Sequence, residues 1–288
     1  METDISVIIC TKNMEKYIGK CISSLLDQTI KDFEIVIIDD GCNGKTRSII
    51  ERFDDRRIRY SRNGKSLGIA KSRNKGLQLS KGEYIFFTDG DCIVTEDWLK
   101  HGLKFLVNEN CVGVEGRIYY VSKEYKPTYS DHVCKNEFGG HFMTGNVAYK
   151  KSVIESVGGF DERYDYFEDR DLALRILKRG KISFNPNMIV YVQQQTLTPK
   201  DVIHSASHIK NKVYLFKRFG ERKLIFWRIV NPLNLAKALF PPLIFVSLFF
   251  NRFKTLDDYK LLPYKYVQAV LERLQLWKTC AKERIFLI

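Results

Sequence analysis

Two carboxylates separated by one glycine, Asp89-Gly90-Asp91, follow directly on Phe86-Phe87-Thr88, a run suited to a buried strand. Oxygen ligands at that spacing suit a hard divalent cation, Mg2+ or Mn2+, which keeps coordination positions open for substrate phosphates. Gly90 lets a ligand approach the backbone closely. Such triplets also arise by chance in solvated turns, so the weight of this one depends on what shares its edge of the fold. Asp39-Asp40 ends another apolar run, FEIVII, and is followed by Gly41. A carboxylate there can accept from a base N–H or a ribose hydroxyl, or cap the next helix. Arg73-Asn74, in GIAKSRNKG, offers a guanidinium to nucleotide phosphates, or is an ordinary helix-surface cation. Glu168-Asp169 precedes a helix carrying Leu172, Leu174, Ile176 and Leu177. The helix dipole favours acids at that end. A second use for Asp169 is as general base, taking the proton of an attacking hydroxyl.

These groups need a scaffold that brings separate segments to one edge. Strand-like runs fall at 5–10, 33–40, 58–63 and 82–89, and helical stripes at 17–28, 46–53 and 69–80. Alternation at this spacing predicts an α/β fold with a mainly parallel sheet and helices on both faces. Ligands in such sheets bind beyond the carboxyl ends of the strands, where Asp39, Asp40, Asp89 and Asp91 fall. The middle is less regular. Residues 112–121 read as a strand, 122–142 as a polar loop, and Asn146–Tyr149 as the start of another element. Residues 151–157 and 170–179 read as helices, with Gly180 as a stop, and 181–192 as a strand.

The chain has 288 residues, 44% of them hydrophobic, enough to bury a core in one large domain or a domain with an appendage. We expect a first domain over 1–196 and a basic, apolar-rich helical region over 197–288. The net charge is +13, of which +11 belongs to residues 200–288, with 17 Lys/Arg against 6 Asp/Glu. That asymmetry suits an anionic membrane surface, nucleic acid or a solvated helix face. Thr198, Pro199 and Gly220 mark the start and stop of a helix. His204 and His208, four apart, could share one face of it, with no third metal ligand in view. The apolar run Ala238–Phe250 is 13 residues long and holds Pro241-Pro242. A spanning helix needs about 20 residues, so an interfacial or shallowly inserted hairpin is the expectation. The seven cysteines are scattered, without metal-ligand spacing, and read as free thiols of a reducing compartment. METDISVIIC has no basic start followed by an apolar stretch, so no signal peptide is expected.

Taken together, SVIICTKN, VIIDDGCNGKT, NGKSLGIAKSRNKGLQLSKGEYIFFTDGD and TGNVAYKKSVIESVGGFDERYDYFEDRDLALRILKRG resemble, in order over about 4–192, the family 2 glycosyltransferases. These are inverting enzymes of Rossmann-like GT-A fold that use nucleotide-sugars. The resemblance implies that Thr11 belongs to the donor site, that Asp40 binds the nucleobase with Asp39 beside it, and that Asn63 and Arg73 line the nucleotide pocket. It implies that Asp89 faces the ribose or metal, and that Asp91 ligates Mn2+ or Mg2+ at the diphosphate. Gly145 and Asn146 would border the donor sugar, with Asp169 as the base and Glu168 its neighbour on the acceptor side. Cys10-Thr11-Lys12 stands where the family usually has Pro-Thr-Tyr. Gln193 and Gln194 stand where many relatives have a metal-reaching histidine. The implied partners are a UDP- or GDP-linked donor and a glycan or lipid-linked acceptor. The implied place is the cytoplasmic face of the cell membrane, peripheral or shallowly inserted, with oligomeric state open. The alternatives are a soluble or protein acceptor with the tail as a dimer interface, an inactive scaffold, and a nucleic-acid binder, which leaves the ordered acidic strand ends unexplained.

Overall fold

The computed structural model describes residues 4–42, 44–108, 110–121, 136–193, 198–220, 225–226, 229–230, 232–242, 260 and 262–287. They form two compact units, one ending at Gln193 and one starting at Thr198. The first unit runs β1 (Ile5–Thr11), α1 (Ile18–Leu26), β2 (Glu34–Asp39), α2 (Lys45–Ile50), β3 (Ile58–Arg62), α3 (Ile69–Leu79), β4 (Tyr84–Asp89), β5 (Cys92–Val94), α4 (Trp98–Asn108), β6 (Gly113–Val121), β7 (Val147–Lys150), α5 (Lys151–Ser156), α6 (Glu168–Ile176) and β8 (Ile182–Gln193). The sheet order is β3-β2-β1-β4-β7-β6-β8-β5.

Every residue of β1 and β2 is buried, as continuous apolar runs in a sheet covered on both faces should be. Side chains alternate between two cores. Val7 and Ile9 join Ile18, Ile22, Leu25, Trp98 and Leu106 on one face; Ile8 and Cys10 join Ala70, Leu77, Ile154, Leu172 and Ile176 on the other. Glu34 and Asp39, at the two ends of β2, are the exceptions, and Glu34 braces the far end. Its buried carboxylate accepts from Ser6 Oγ at 2.7 Å, Lys81 N at 2.6 Å and Arg59 Nη1 at 3.0 Å, which fixes the turn entering β4.

The sheet is parallel from β3 to β4. Beyond β4 the expectation of parallel strands gives way to a mixed sheet: β7 is antiparallel to β4 and β6, and β5 antiparallel to β8. Antiparallel neighbours need no crossover helix, and this half holds the irregular middle of the chain. The sequence reading had no helix over 98–108, yet Trp98, Leu99, Gly102 and Leu106 give α4 a buried stripe at helical spacing.

The second unit holds α7 (Pro199–Ser205), a 3-10 turn over Ala206–His208, α8 (Ile209–Phe219), the two-residue strands β9 (Ile225–Phe226) and β10 (Ile229–Val230), α9 (Pro232–Leu239) and α10 (Leu262–Glu283). Thr198 and Asp201 form a reciprocal capping box at α7, and Gly220 ends α8 at φ 66°. Ile209, Val213, Leu276, Cys280 and Leu287 make its core. No described helix is long and apolar enough to cross a membrane. Residues 243–250 of the apolar run, 122–135 of the polar loop and Gln194 lie outside the described residues.

Candidate active site

Parallel pairing puts the acidic strand ends in one row. Thr11 is in register with Asp39, Cys10 with Asp89, and Asp39 with Arg62. The two carboxylates at the end of β2 serve different partners. Asp39 accepts from Cys42 N at 2.7 Å and Tyr60 Oη at 2.6 Å. Burial alone would raise its pKa, but these donors outweigh burial and hold it below the ordinary carboxylate value. Asp40 accepts from Asn63 Nδ2 at 2.9 Å, Ser66 Oγ at 2.7 Å, Leu67 N at 2.7 Å, Gly68 N at 3.1 Å and Ser72 Oγ at 3.0 Å. Burial opposes ionisation there too, and the donors override it, bringing the pKa to about 2.

Five donors fill the acceptor sites of Asp40, so in this structure it pins the loop entering α3 and has no lone pair left for a base N–H. Asn63 is likewise spent, donating to Asp40 and Ser72 and accepting from Lys75 Nζ at 2.9 Å. Both therefore support the pocket rim from behind. Gly41 closes against this loop at φ 83°, where a Cβ would come within 2.8 Å of Ser66 N; only glycine fits.

Arg73 differs most from its expected place. It is buried, with Nη2 donating to Asp89 Oδ1 at 3.1 Å and Nη1 paired to Glu168. The guanidinium that was expected along the nucleotide instead ties the Asp89 strand end to α6. Burial would lower the Arg73 pKa, but the Glu168 and Asp89 carboxylates more than restore it. Asp169, next to Glu168, accepts from Arg170 N at 2.7 Å and Thr144 N at 3.4 Å. Burial first, and the Glu168 charge second, raise its pKa to about 7, against the opposing pull of Arg73. Phe167, immediately before this pair, has φ 66°, a left-handed conformation that bulky residues avoid.

Gly145 abuts Asp89: a Cβ on it would lie 3.3 Å from Asp89 Oδ2, and its carbonyl accepts from Thr88 Oγ1 at 3.2 Å. Asn146 faces the other way. Its Oδ1 accepts from Trp98 Nε1 at 2.8 Å, and its Nδ2 donates to the carbonyls of Arg117 and Met188. Its side chain braces the sheet through these three bonds. Glu115 holds the loop leading to Gly145. It is buried and accepts from the backbone N–H groups of Gly140, His141 and Phe142 and from Asn136 Nδ2. The sequence reading missed Glu115, although a lone acid in the apolar run VGVEG is a signal of a buried, partnered carboxylate. It also missed Tyr60, Thr144 and Cys92.

Among the described residues one group has metal-ligating geometry: carboxylate oxygens of Asp89 and Asp91 and Cys92 Sγ lie within 4.8 Å of one another. Thr11 Oγ1, buried and without a hydrogen-bond partner, lies 3.3 Å from where a Cβ on Gly90 would be, beneath the turn joining the carboxylates. Two oxygen ligands and a nearby orphaned hydroxyl fit a divalent cation. His204 and His208 do meet edge to face, ring centroids 5.3 Å apart, but belong to no three-ligand group among the described residues.

A row of carboxylates at the ends of parallel strands, a turn whose side chains could hold a divalent ion and the half-buried Asp169 make this edge of the sheet the candidate active site. Residues 6–170 match the model of Glycosyl transferase family 2, over half of the chain, and the chain belongs to that family. It is 27% identical over 267 residues to an uncharacterised glycosyltransferase of Methanocaldococcus jannaschii, covering 82% of this chain and 92% of that one. It is 30% identical over 189 residues to the Escherichia coli UDP-Glc:alpha-D-GlcNAc-diphosphoundecaprenol beta-1,3-glucosyltransferase WfaP, covering 64% and 74%. The fold is similar to that of the mannosyltransferase PcManGT from Pyrobaculum calidifontis in complex with GDP-Man and Mn2+, with TM-score 0.66, 18% identity, and coverage of 96% of this chain and 88% of that one. S. aureus TarS 1-349 in complex with UDP gives 0.60 at 17% identity, covering 99% and 93%. The protein is a glycosyltransferase.

Proposed function

We propose that the protein moves a sugar from a UDP- or GDP-linked donor to a hydroxyl of a lipid-linked glycan in one inverting displacement. The observation that carries this is the place of Asp169, held by the N–H groups of Thr144 and Arg170 beside the Glu168–Arg73–Asp89 bridge, where burial and the Glu168 charge raise its pKa toward that of a base working near neutrality. Asp169 takes the acceptor hydroxyl proton as the acceptor oxygen bonds to the anomeric carbon. The bond to the diphosphate breaks on the opposite face, and its electron pair leaves with the nucleotide. A Mn2+ or Mg2+ ion held by Asp91 and Asp89 would supply the positive charge that the departing diphosphate needs. Arg73 keeps Asp89 and Glu168 in place. The relative that acts on a diphosphoundecaprenol-linked sugar supports the lipid-linked acceptor.

A peripheral position at the cytoplasmic face of the membrane belongs to the same proposal. It is supported by Tyr264, Val267, Leu271, Leu274 and Trp277, exposed along α10 beside the exposed Lys278 and Lys282. Flotation with anionic vesicles tests it; a soluble dimer that ignores vesicles sinks it. For the chemistry, a thermal-shift screen of UDP- and GDP-sugars with and without Mn2+ should give a metal-dependent rise with one base. Asp91→Ala should abolish that dependence, and Asp169→Asn should keep donor binding while stopping transfer. Full turnover in either variant removes the role assigned to it.

A further inference from the structure

We propose that Cys92 supplies a third, thiolate ligand beside Asp89 and Asp91, so that this turn captures a thiophilic divalent ion, Zn2+ or Cd2+, in competition with Mn2+ or Mg2+. The proposal rests on the reading of Asp89 and Asp91 as divalent-ion ligands and adds to it a ligand that this chain carries in its own sequence.

The geometry comes from three elements. Cys92 opens β5 directly after the acidic turn, with its Sγ 3.9 Å from Asp91 Oδ1 and within 4.8 Å of an Asp89 oxygen. Gly145 leaves the space beside it open: a Cβ there would stand 3.8 Å from Cys92 Sγ and 3.3 Å from Asp89 Oδ2. Thr11 Oγ1 is the independent sign of a missing partner. It is 99% buried, has no hydrogen-bond partner among the described residues, and lies 3.3 Å from where a Cβ on Gly90 would be. Zinc bonds of about 2.3 Å to sulfur and 2.0–2.2 Å to oxygen set neighbouring ligands roughly 3.5 Å apart, so the three groups close on an ion by about 1 Å or less.

The donor set decides the ion. Two carboxylates alone suit Mg2+ or Mn2+, whereas a thiolate turns the preference toward Zn2+ or Cd2+. When the ion enters, the sulfur–metal bond replaces a metal-bound water and the Cys92 thiol proton goes to solvent. No oxidation state changes. The ion then occupies the place a diphosphate-binding ion needs, which makes micromolar thiophilic metal an inhibitor whose effect passes through one cysteine.

The test uses the full chain without nucleotide. Titration with Cd2+ should give a saturable thiolate-to-cadmium charge-transfer band at one equivalent. The band should vanish in Cys92→Ser and in Asp91→Asn and persist in Cys280→Ser. Zn2+ affinity of Cys92→Ser should fall by about 10- to 100-fold, at least the loss seen for outer-sphere partners, and by clearly more than Mn2+ affinity does. A band that survives in Cys92→Ser overturns the proposal. Should that variant fold poorly, X-ray absorption of the unaltered protein with one Zn2+ decides. Sulfur at about 2.3 Å that disappears in Asp91→Asn supports the ligand, and oxygen or nitrogen alone at about 2.0–2.2 Å overturns it. Loss of the donor-site reading would show separately, as nucleotide binding that ignores Mn2+.

Discussion

Replacing Arg73 by Met removes the cation between two carboxylates while keeping most of the side-chain volume. Glu168 is 7% exposed at its side chain and Arg73 6%, so the pair is desolvated; Asp89, at 38%, remains partly in water. Breaking a buried pair by deleting one partner costs about 3–5 kcal/mol, because the remaining charge is left without compensation. The exposed half of the bridge adds about 0–1 kcal/mol. At roughly 2–4 °C per kcal/mol for a unit of this size, Arg73→Met should lower the unfolding midpoint by about 6–24 °C. Arg73→Met with Glu168→Gln should recover most of the loss, since the orphaned charge goes with its partner. The same change reaches the base. Arg73 pulls the Asp169 pKa down and Glu168 pushes it up. Arg73→Met should therefore move the acid limb of the rate–pH profile above 7, and Glu168→Gln below it. Thermal unfolding at several pH values and a kcat/KM profile read both effects. A midpoint within 1 °C of the parent, or an acid limb that moves down in Arg73→Met, refutes the bridge as described.

Asp169 has a folded pKa near 7, above its unfolded value of about 3.8. The unfolded chain thus loses this proton first, and stability falls as pH rises from about 4 to 7. Asp169→Asn should flatten that slope and add about 1–2 kcal/mol at pH 8 in urea unfolding. Asp40 has the opposite sign, with a folded pKa of about 2. Its stabilisation, about 2 kcal/mol, is present above pH 4 and lost between pH 4 and 2, and Asp40→Asn should remove that acid dependence. Trp98→Phe keeps the ring against Phe86 but leaves Asn146 Oδ1 without its donor, at a cost of about 1–3 kcal/mol by the same unfolding measurement.

The carboxylates were legible because strand runs such as FEIVIIDD and YIFFTD place them at chain ends by pattern alone, and parallel pairing then does the rest. What each carboxylate holds was not legible. Asp39 and Asp40 are neighbours of the same type, yet one meets Tyr60 and the other a whole loop, and only the path of residues 63–68 decides that. Arg73 was placed near the right edge, but its tie to Glu168 was not legible, because Glu168 lies 95 residues away and no local spacing links them. The bonds of Asn146 were hidden for the same reason: its three partners come from α4, β6 and β8. The α4 stripe was present in the sequence and required only the 3.6-residue count.

The pairing of β5 has a consequence for how the chain is made. β5 ends at Val94, but among the described residues its only strand partner is β8, which is complete at Gln193, 99 residues later. At about 5–20 residues per second, a ribosome takes roughly 5–20 s to supply that partner. Throughout that interval the nascent chain carries a finished acidic turn with an unpaired strand behind it. Hydrated carboxylates on the growing chain discourage the edge-to-edge association that an apolar strand would invite. The acids of the candidate site thus stand directly before a strand that waits for its partner.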